Sequence, residues 1–413
     1  MLSIKKLALI LVATTPLGNG SPVAYTNGAG AILGKYIVTL KDGISTNDFN
    51  THVNWVRIAH EHSLGRRQLG FSGVEKTYSV GTFNAYAGHF DDETLERIKS
   101  SADVADIEQQ ALFYPHGWAV QKNVTHGLAT ISHREPGSNE YVYDESAGAG
   151  TTVYVVDSGI QLDHPEFEGR ATHGFNAMQT VPDDDVMGHG THVAGIVGSK
   201  TFGVAKKTKL VSVKIFHDSG STTQIILDAI EWTIKDITAK AIQNRAVINM
   251  SFGGADSAAT NKMIKAAYDA GILCVISAGN EGKDANLSSP ANSPHGITVA
   301  AVDLNWRLWK HSNYGSVVHV LAAGEDVLSL FPTNKTLLMN GTSQAAPHVA
   351  GLAAYLIAAE KPNSAKELKD RIISLGTSGK ATNVPPGTVN LVAFNGRGDG
   401  INDRPNEKEV SKA

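Results

Sequence analysis

Three short runs carry the residue types that can turn a hydroxyl into a nucleophile. Gly341-Thr342-Ser343-Gln344-Ala345-Ala346-Pro347-His348-Val349-Ala350-Gly351 sets a serine among small residues where an apolar, helix-like stretch begins. Val155-Val156-Asp157-Ser158-Gly159 ends an apolar strand in a carboxylate, and Gly188-His189-Gly190-Thr191-His192-Val193-Ala194-Gly195 places an imidazole among small residues. A neutral hydroxyl attacks an amide poorly. It attacks well when an imidazole takes its proton and a carboxylate fixes the tautomer of that imidazole. Taken singly, a strand-end Asp, a buried His and a helix-start Ser are ordinary. Together they predict amide cleavage with Ser343 as nucleophile, His189 as base and Asp157 as its orienting group. His192, on the same helix, is read as a packing residue.

The tetrahedral intermediate of such a reaction needs hydrogen-bond donors for its oxyanion. Ser277-Ala278-Gly279-Asn280-Glu281-Gly282 follows an apolar strand, which puts Asn280 at a strand's carboxyl end. Its side-chain amide and the backbone N–H of Ser343 are the expected donors.

These residues require a scaffold, and its rhythm is visible. From Thr151 onward, short apolar strands (153–156, 210–216, 247–250, 272–276, 297–302) alternate with helical patterns such as 224–235 and 258–270. Strands of this kind are buried on both faces of a parallel sheet, whose active sites collect at the carboxyl ends of the strands. The prediction is an α/β, three-layer sandwich with a parallel central sheet. Residues 35–110 read differently, as β-α-β-β-α-β: a strand at 35–40, a helix carrying Phe49, Val53 and Val56, two β-rich runs, a helix starting at Asp91 or Asp92 with Leu95 and Ile98 on one face, and a last strand near Val104. This predicts a small ferredoxin-like α+β domain before the larger one.

The chain has 413 residues and a net charge of −4 at pH 7, which gives no basis for a nucleic-acid partner. Lys5-Lys6 precede the apolar run from Leu7 to Ala13, as in a secretory signal cut near Gly20. That run is well short of the ~20 apolar residues a membrane span needs. No other stretch is long enough, so a soluble, secreted, extracellular product is expected. Cys274 is the only cysteine, which excludes an intramolecular disulfide, and its apolar neighbours mark it as a buried, inert side chain. Residues 396–413 read as a polar tail, and Arg397-Gly398-Asp399 within it as a chance tripeptide.

The three runs, with Asn383-Val384-Pro385-Pro386-Gly387-Thr388-Val389-Asn390-Leu391, make the chain resemble the subtilisin family of serine peptidases, in particular its fungal secreted proteinase K-like group. The resemblance covers about 35–395. It implies a subtilisin-like peptidase domain at 118–395, a signal peptide at 1–20 and an inhibitory propeptide at 21–117 that the enzyme removes itself near 116–118. The propeptide would be an intramolecular inhibitor, the substrates proteins, and the enzyme a monomer with no nucleic-acid or membrane partner. The resemblance also makes Ser251, Phe252, Gly253 and Gly254 one wall of the primary specificity pocket, with Ala278, Gly279 and Asn280 the other. Glycines there leave room for a large side chain, so cleavage after bulky apolar or aromatic residues is expected. Gly220, in Ser219-Gly220-Ser221, resembles the loop edge that pairs with extended substrate.

The sequence also departs from the family. Gln344 follows the nucleophile where Met is usual, so tolerance of mild peroxide is expected. His319 and Lys380 stand where relatives carry calcium-ligating Asp residues, so those two calcium sites are expected to be lost; no cofactor is required, calcium elsewhere is left open, and no metal-site residue is assigned. Sequons place candidate glycans at Asn123, Asn286 and Asn334; those at Asn249 and Asn340 are expected to be unmodified. Asp183-Asp184-Asp185 reads as a solvated loop. A catalytically inactive relative acting as a binding protein is the competing reading, but Asp157, His189, Ser343 and Asn280 are all present. A lipase or esterase is disfavoured because Ser343 lies outside any G-x-S-x-G elbow.

Overall fold

The computed structural model describes residues 25–26, 31–64, 70–111 and 118–397. The expected signal peptide, self-cleavage region, adhesion-like tripeptide and polar tail fall wholly or largely outside them. The chain divides into two compact units, Met1–Phe113 and Tyr114–Ala413.

The first unit comprises β1 (Tyr25–Thr26), β2 (Ala31–Leu40), α1 (Thr46–Leu64), β3 (Gly73–Val80), β4 (Phe83–His89), α2 (Asp92–Lys99) and β5 (Val104–Ala111). Its sheet runs β1-β5-β2-β4-β3. From β2 onward this is the expected β-α-β-β-α-β unit; the sequence reading did not include β1, which pairs parallel with β5. Phe49, Val53 and Val56 of α1 and Leu95 and Ile98 of α2 meet Val38, Tyr86, Phe90 and Ile107 in one apolar core. Of the two candidate caps for α2, Asp91 is the one used: its side chain accepts from Thr94 N at 3.1 Å.

The second unit opens with an antiparallel pair, β6 (Trp118–Lys122) and β7 (Glu140–Asp144), around α3 (His126–Ser132). Then follow β8 (Thr152–Asp157), β9 (Ala171–Asn176), α4 (His189–Gly198), β10 (Lys209–Lys214), α5 (Thr223–Ala239), β11 (Ala246–Met250), β12 (Gly254–Ala255), α6 (Ala258–Asp269), β13 (Leu273–Ser277), β14 (Ser288–Ser289), β15 (Ile297–Val302), β16 (Val320–Ala323), β17 (Val327–Phe331), β18 (Lys335–Met339), α7 (Thr342–Glu360), α8 (Ala365–Leu375), β19 (Thr377–Ser378) and β20 (Leu391–Val392). Nine strands form the main sheet in the order β19-β20-β16-β15-β13-β11-β8-β10-β9, parallel except where β19 meets β20. The five predicted strands are its centre, although the one predicted at 210–216 ends at Lys214.

The near-continuous apolar strands are explained by two cores. Side chains alternate across the sheet, so Val153, Val155, Leu273 and Val275 face α4, α7 and α8. Tyr154, Val156, Cys274 and Ile276 face the opposite way, toward Ala229 and Ile230 of α5 and Ile264 and Ala267 of α6. The predicted layers are therefore present. Cys274 is buried, and burial pushes its thiol up to about 12, so it is not a reactive nucleophile at neutral pH.

Candidate active site

Asp157 is the last residue of β8, at the strand's carboxyl end, and is fully buried. Its Oδ1 accepts from Ser158 N at 2.7 Å and lies 2.7 Å from His189 Nδ1. A carboxylate only accepts, so Nδ1 carries the proton and Nε2, which makes no hydrogen bond among the described residues, presents a lone pair. His189 is the first residue of α4. Burial acts against its imidazolium, but the Asp157 carboxylate, assisted by the charge of Asp185, outweighs that and holds its pKa above the ordinary value. Close approach of α4 to the strand end depends on Gly190, where a Cβ would stand 2.1 Å from the carbonyl oxygen of Gly159. His192 lies where the sequence reading put it, as packing: its Nε2–H faces the carbonyls of Val327 and Leu337 at 3.1 and 2.9 Å.

Ser343 occupies the first turn of α7, a helix buried on nearly every side from Thr342 to Ile357. Its hydroxyl donates to the carbonyl oxygen of Ser251 at 3.0 Å, and no hydrogen bond joins it to His189. A rotation about the Ser343 side chain is therefore needed before proton transfer, a common state of a site without substrate.

Asn280 follows β13. Its Oδ1 accepts from Thr342 N at 2.8 Å and from Thr342 Oγ1 at 2.9 Å. That fixes the amide, because the NH2 side is the one left without a partner, as an oxyanion donor requires. A Cβ on Gly341 would lie 3.4 Å from Asn280 Nδ2, so the amide sits against the start of α7. Behind it, Asn313 donates to the Ala278 carbonyl at 3.0 Å and accepts from Glu281 N and Lys283 N at 3.1 and 2.9 Å. At Gly279, with φ +104°, a Cβ would meet Asn313 Nδ2 at 2.3 Å.

The residues expected to wall the specificity pocket lie at these strand ends, but not all face outward. Ala278 and Phe252 have buried side chains in the apolar core, Phe252 edge-on to Phe216, so they can offer substrate their backbone only. Gly253 and Gly254 are exposed; a Cβ on Gly254 would touch nothing within 4 Å. Ser251 is buried and bonded to Ser343, and Gly220 lies in an exposed irregular segment after β10.

Sequence reasoning missed Thr342, Asn313 and Asp185. The acidic run is not simply a solvated loop: Asp183 and Asp184 are exposed, but Asp185 is buried. Three donors converge on it, and that convergence outweighs the preference of a carboxylate for water. The only signal was its place four residues before His189.

The expected loss of calcium ligands can be tested on donor chemistry. His319 Nδ1 already accepts from Thr298 N at 3.1 Å, and Lys380 Nζ pairs with Glu135 at 2.5 Å. An occupied imidazole and an ammonium do not fit a hard cation that takes oxygen ligands.

Residues 148–389, most of the second unit, match the sequence profile of the Subtilase family. The chain belongs to the subtilase family. Residues 35–116 of this subtilase match the peptidase inhibitor I9 profile. It is 45% identical over 402 residues to Alkaline protease 1 of Emericella nidulans, an alignment covering 96% of this chain and 99% of that protein. It is 43% identical to the Subtilisin-like proteinase Mp1 of Magnaporthiopsis poae, again over 96% of this chain and 99% of the relative. Among solved structures, a cold adapted subtilisin-like serine proteinase superposes with a TM-score of 0.61 at 32% identity, covering 66% of this chain and 98% of that one. The subtilase is a serine endopeptidase made with an inhibitory propeptide domain.

Proposed function

We propose that Ser343 is the nucleophile of this endopeptidase, His189 its general base and acid, and Asp157 the group that orients and charges His189. Asn280 Nδ2 and the backbone N–H of Ser343 stabilise the oxyanion. The observation that carries the reading is the 2.7 Å contact between the buried Asp157 carboxylate and His189 Nδ1, which leaves Nε2 free to take a proton. When Ser343 turns from Ser251 toward Nε2, its oxygen attacks the scissile carbonyl. His189 then delivers the proton to the leaving amine, and water releases the acyl group by the same route.

Exposed Gly253 and Gly254, crowded at most by the Ser289 carbonyl at 3.9 Å among the described residues, support a preference for bulky apolar or aromatic side chains before the scissile bond, with Gly220 at the edge that receives extended substrate. The basic and apolar N-terminus supports secretion, and exposed Asn123, Asn286 and Asn334 are the candidate glycan sites. The mature enzyme is proposed to be a monomer that needs no cofactor.

The full chain, expressed in a secreting host as wild type and as Ser343→Ala, tests the reading through the N-terminus of each product, found by mass spectrometry. Wild type is expected to begin near residue 117 and Ser343→Ala to retain the propeptide. A wild type that is never processed and cleaves no peptide would favour the inactive relative.

A further inference from the structure

We propose that Asp185 is a positioning residue for the reaction, holding Asp157 and the first turn of α4 in register through Ser158. This rests on the triad reading above. Asp185 Oδ1 accepts from Ser158 Oγ at 2.7 Å and from Gly188 N at 2.9 Å; its Oδ2 accepts from Thr191 N at 2.7 Å. Ser158 in turn accepts from Gly190 N at 2.9 Å through its hydroxyl and donates its own N–H to Asp157 Oδ1 at 2.7 Å. The N–H groups of Gly188, Gly190 and Thr191, on both sides of His189, are thus all taken up by one carboxylate and one hydroxyl. Asp185 and Ser158 are both buried, so water does not compete.

Two further observations say what the pair does, the first as a cap and the second beyond one. The N-cap of α4 is Gly188, which has no side chain to cap with, so Asp185 satisfies the first turn from upstream. In addition, Asp157 Oδ2 is buried with no partner among the described residues. The Asp157 carboxylate is therefore oriented through Oδ1 alone, between Ser158 N–H and His189. Any displacement of Ser158 is passed directly to it.

The site needs a carboxylate. Asn would present one acceptor oxygen and set an NH2 group against a backbone N–H. The negative charge also matters, because His189 stands at the positive end of α4, where an imidazolium is disfavoured. The charged and titratable groups around this position are Asp157 from β8, His192 on α4 itself, Asp183 and Asp184 from the loop, and Lys214 from β10. The Lys214 ammonium donates to the Ser158 and Asp184 carbonyls at 2.5 and 2.6 Å. From α7, Ser343 is uncharged and the titratable group is His348, which interacts electrostatically with His192.

The test uses full-length wild type, Asp185→Asn, Asp185→Glu, Ser158→Ala and Ser343→Ala. For each, kcat and KM on a peptide substrate are followed against pH, per site counted with an irreversible serine-directed inhibitor. Asp185→Asn is expected to lose kcat by up to about 10²-fold with KM little changed. Its acid limb should move to lower pH, because an anion that supports the imidazolium is gone. Ser158→Ala should lose kcat by about tenfold with the limb in place, since the charge remains, and Asp185→Glu should return the limb toward wild type. An Asp185→Asn enzyme with wild-type kcat per site and an unmoved limb, even if thermally weaker, would reduce Asp185 to a structural cap and overturn the proposal. Should Asp185→Asn fail to fold, Ser158→Ala decides, and wild-type kcat there overturns it equally. A wild type no more active than Ser343→Ala would bring down the triad reading itself, a distinct result.

Discussion

The Ser343 carbonyl, deep in the first turn of α7, accepts the hydroxyl of Ser251 at 2.9 Å. In a regular helix that carbonyl would bind the N–H four residues on, but that residue is Pro347, which has none. Ser251 thus supplies from a neighbouring strand end the donor that the helix lacks, while the Ser343 hydroxyl donates back to the Ser251 carbonyl. Ser251→Ala is expected to cost about 1 kcal/mol or somewhat more, because it leaves a part-buried acceptor unpaired. The cost should shrink in a Pro347→Ala background, which restores an N–H. Thermal or urea unfolding of the four combinations on Ser343→Ala protein, where self-digestion does not intervene, measures the coupling. Independent, additive costs would remove this account of Ser251.

Asn280→Ala should lower kcat by about 10²–10³, the loss that removing such a donor causes in subtilisin, a member of this family, while KM changes little. It also frees Thr342 N and Oγ1 from their shared acceptor. Steady-state kinetics separate the two constants, and a purely KM effect would contradict the oxyanion role.

Gln344 is buried beside Ser343, the proposed nucleophile, and its Nε2 has no partner among the described residues. An amide has no thioether to oxidise, so wild-type activity should survive dilute peroxide. Gln344→Met should place an oxidisable sulfur there and make activity decay. Residual activity against time in peroxide is the readout. Rapid loss in wild type, mapped by mass spectrometry to the active-site region, would count against the expectation.

Chelation should leave the melting temperature nearly unchanged, given the hydrogen-bonded imidazole of His319 and the ion pair of Lys380. A calorimetric scan with and without EDTA decides; a fall of many degrees would mean that a bound cation stabilises the fold elsewhere.

Acid should weaken the protein in a defined window. Burial holds the imidazoles of His192 and His319 near 4 and that of His348 near 3, below the ordinary 6.5. They stay neutral in the fold, whereas an unfolded chain protonates them at about 6.5. Their contribution is complete above that pH, is lost as pH falls through the interval, and stops changing below the folded values. Melting temperature against pH should bend downward below 6.5. His319→Asn, which keeps an acceptor for Thr298 N, should flatten that bend, and an unaltered slope would exclude His319 as a contributor.

What could be read beforehand follows from how local the signal is. Asp157, His189 and Ser343 were legible because small residues around each announce close backbone approach. The central strands were legible because burial on both faces leaves them almost wholly apolar. β9 escaped because Thr172, His173 and Gly174 break its apolar pattern, and β1 because it has only two residues. Asp185 escaped for a different reason. An acidic triplet is normally drawn to water, and only the donors that surround Asp185 in three dimensions reverse that preference. Thr342 and Asn313 act on Asn280 from 62 and 33 residues away in the chain, distances that no local pattern records.

The order of the main sheet has a consequence for timing. Of the residues assembled at the site, Ser343 is the last to be synthesised, and β20, which pairs with β16, ends only at Val392. A chain still emerging from the ribosome holds Asp157 and His189 before it holds Ser343, the proposed nucleophile, and before its sheet edge is complete. Such a nascent chain lacks the proposed nucleophile until Ser343 is added, so on the proposed mechanism it cannot yet cut itself or its neighbours.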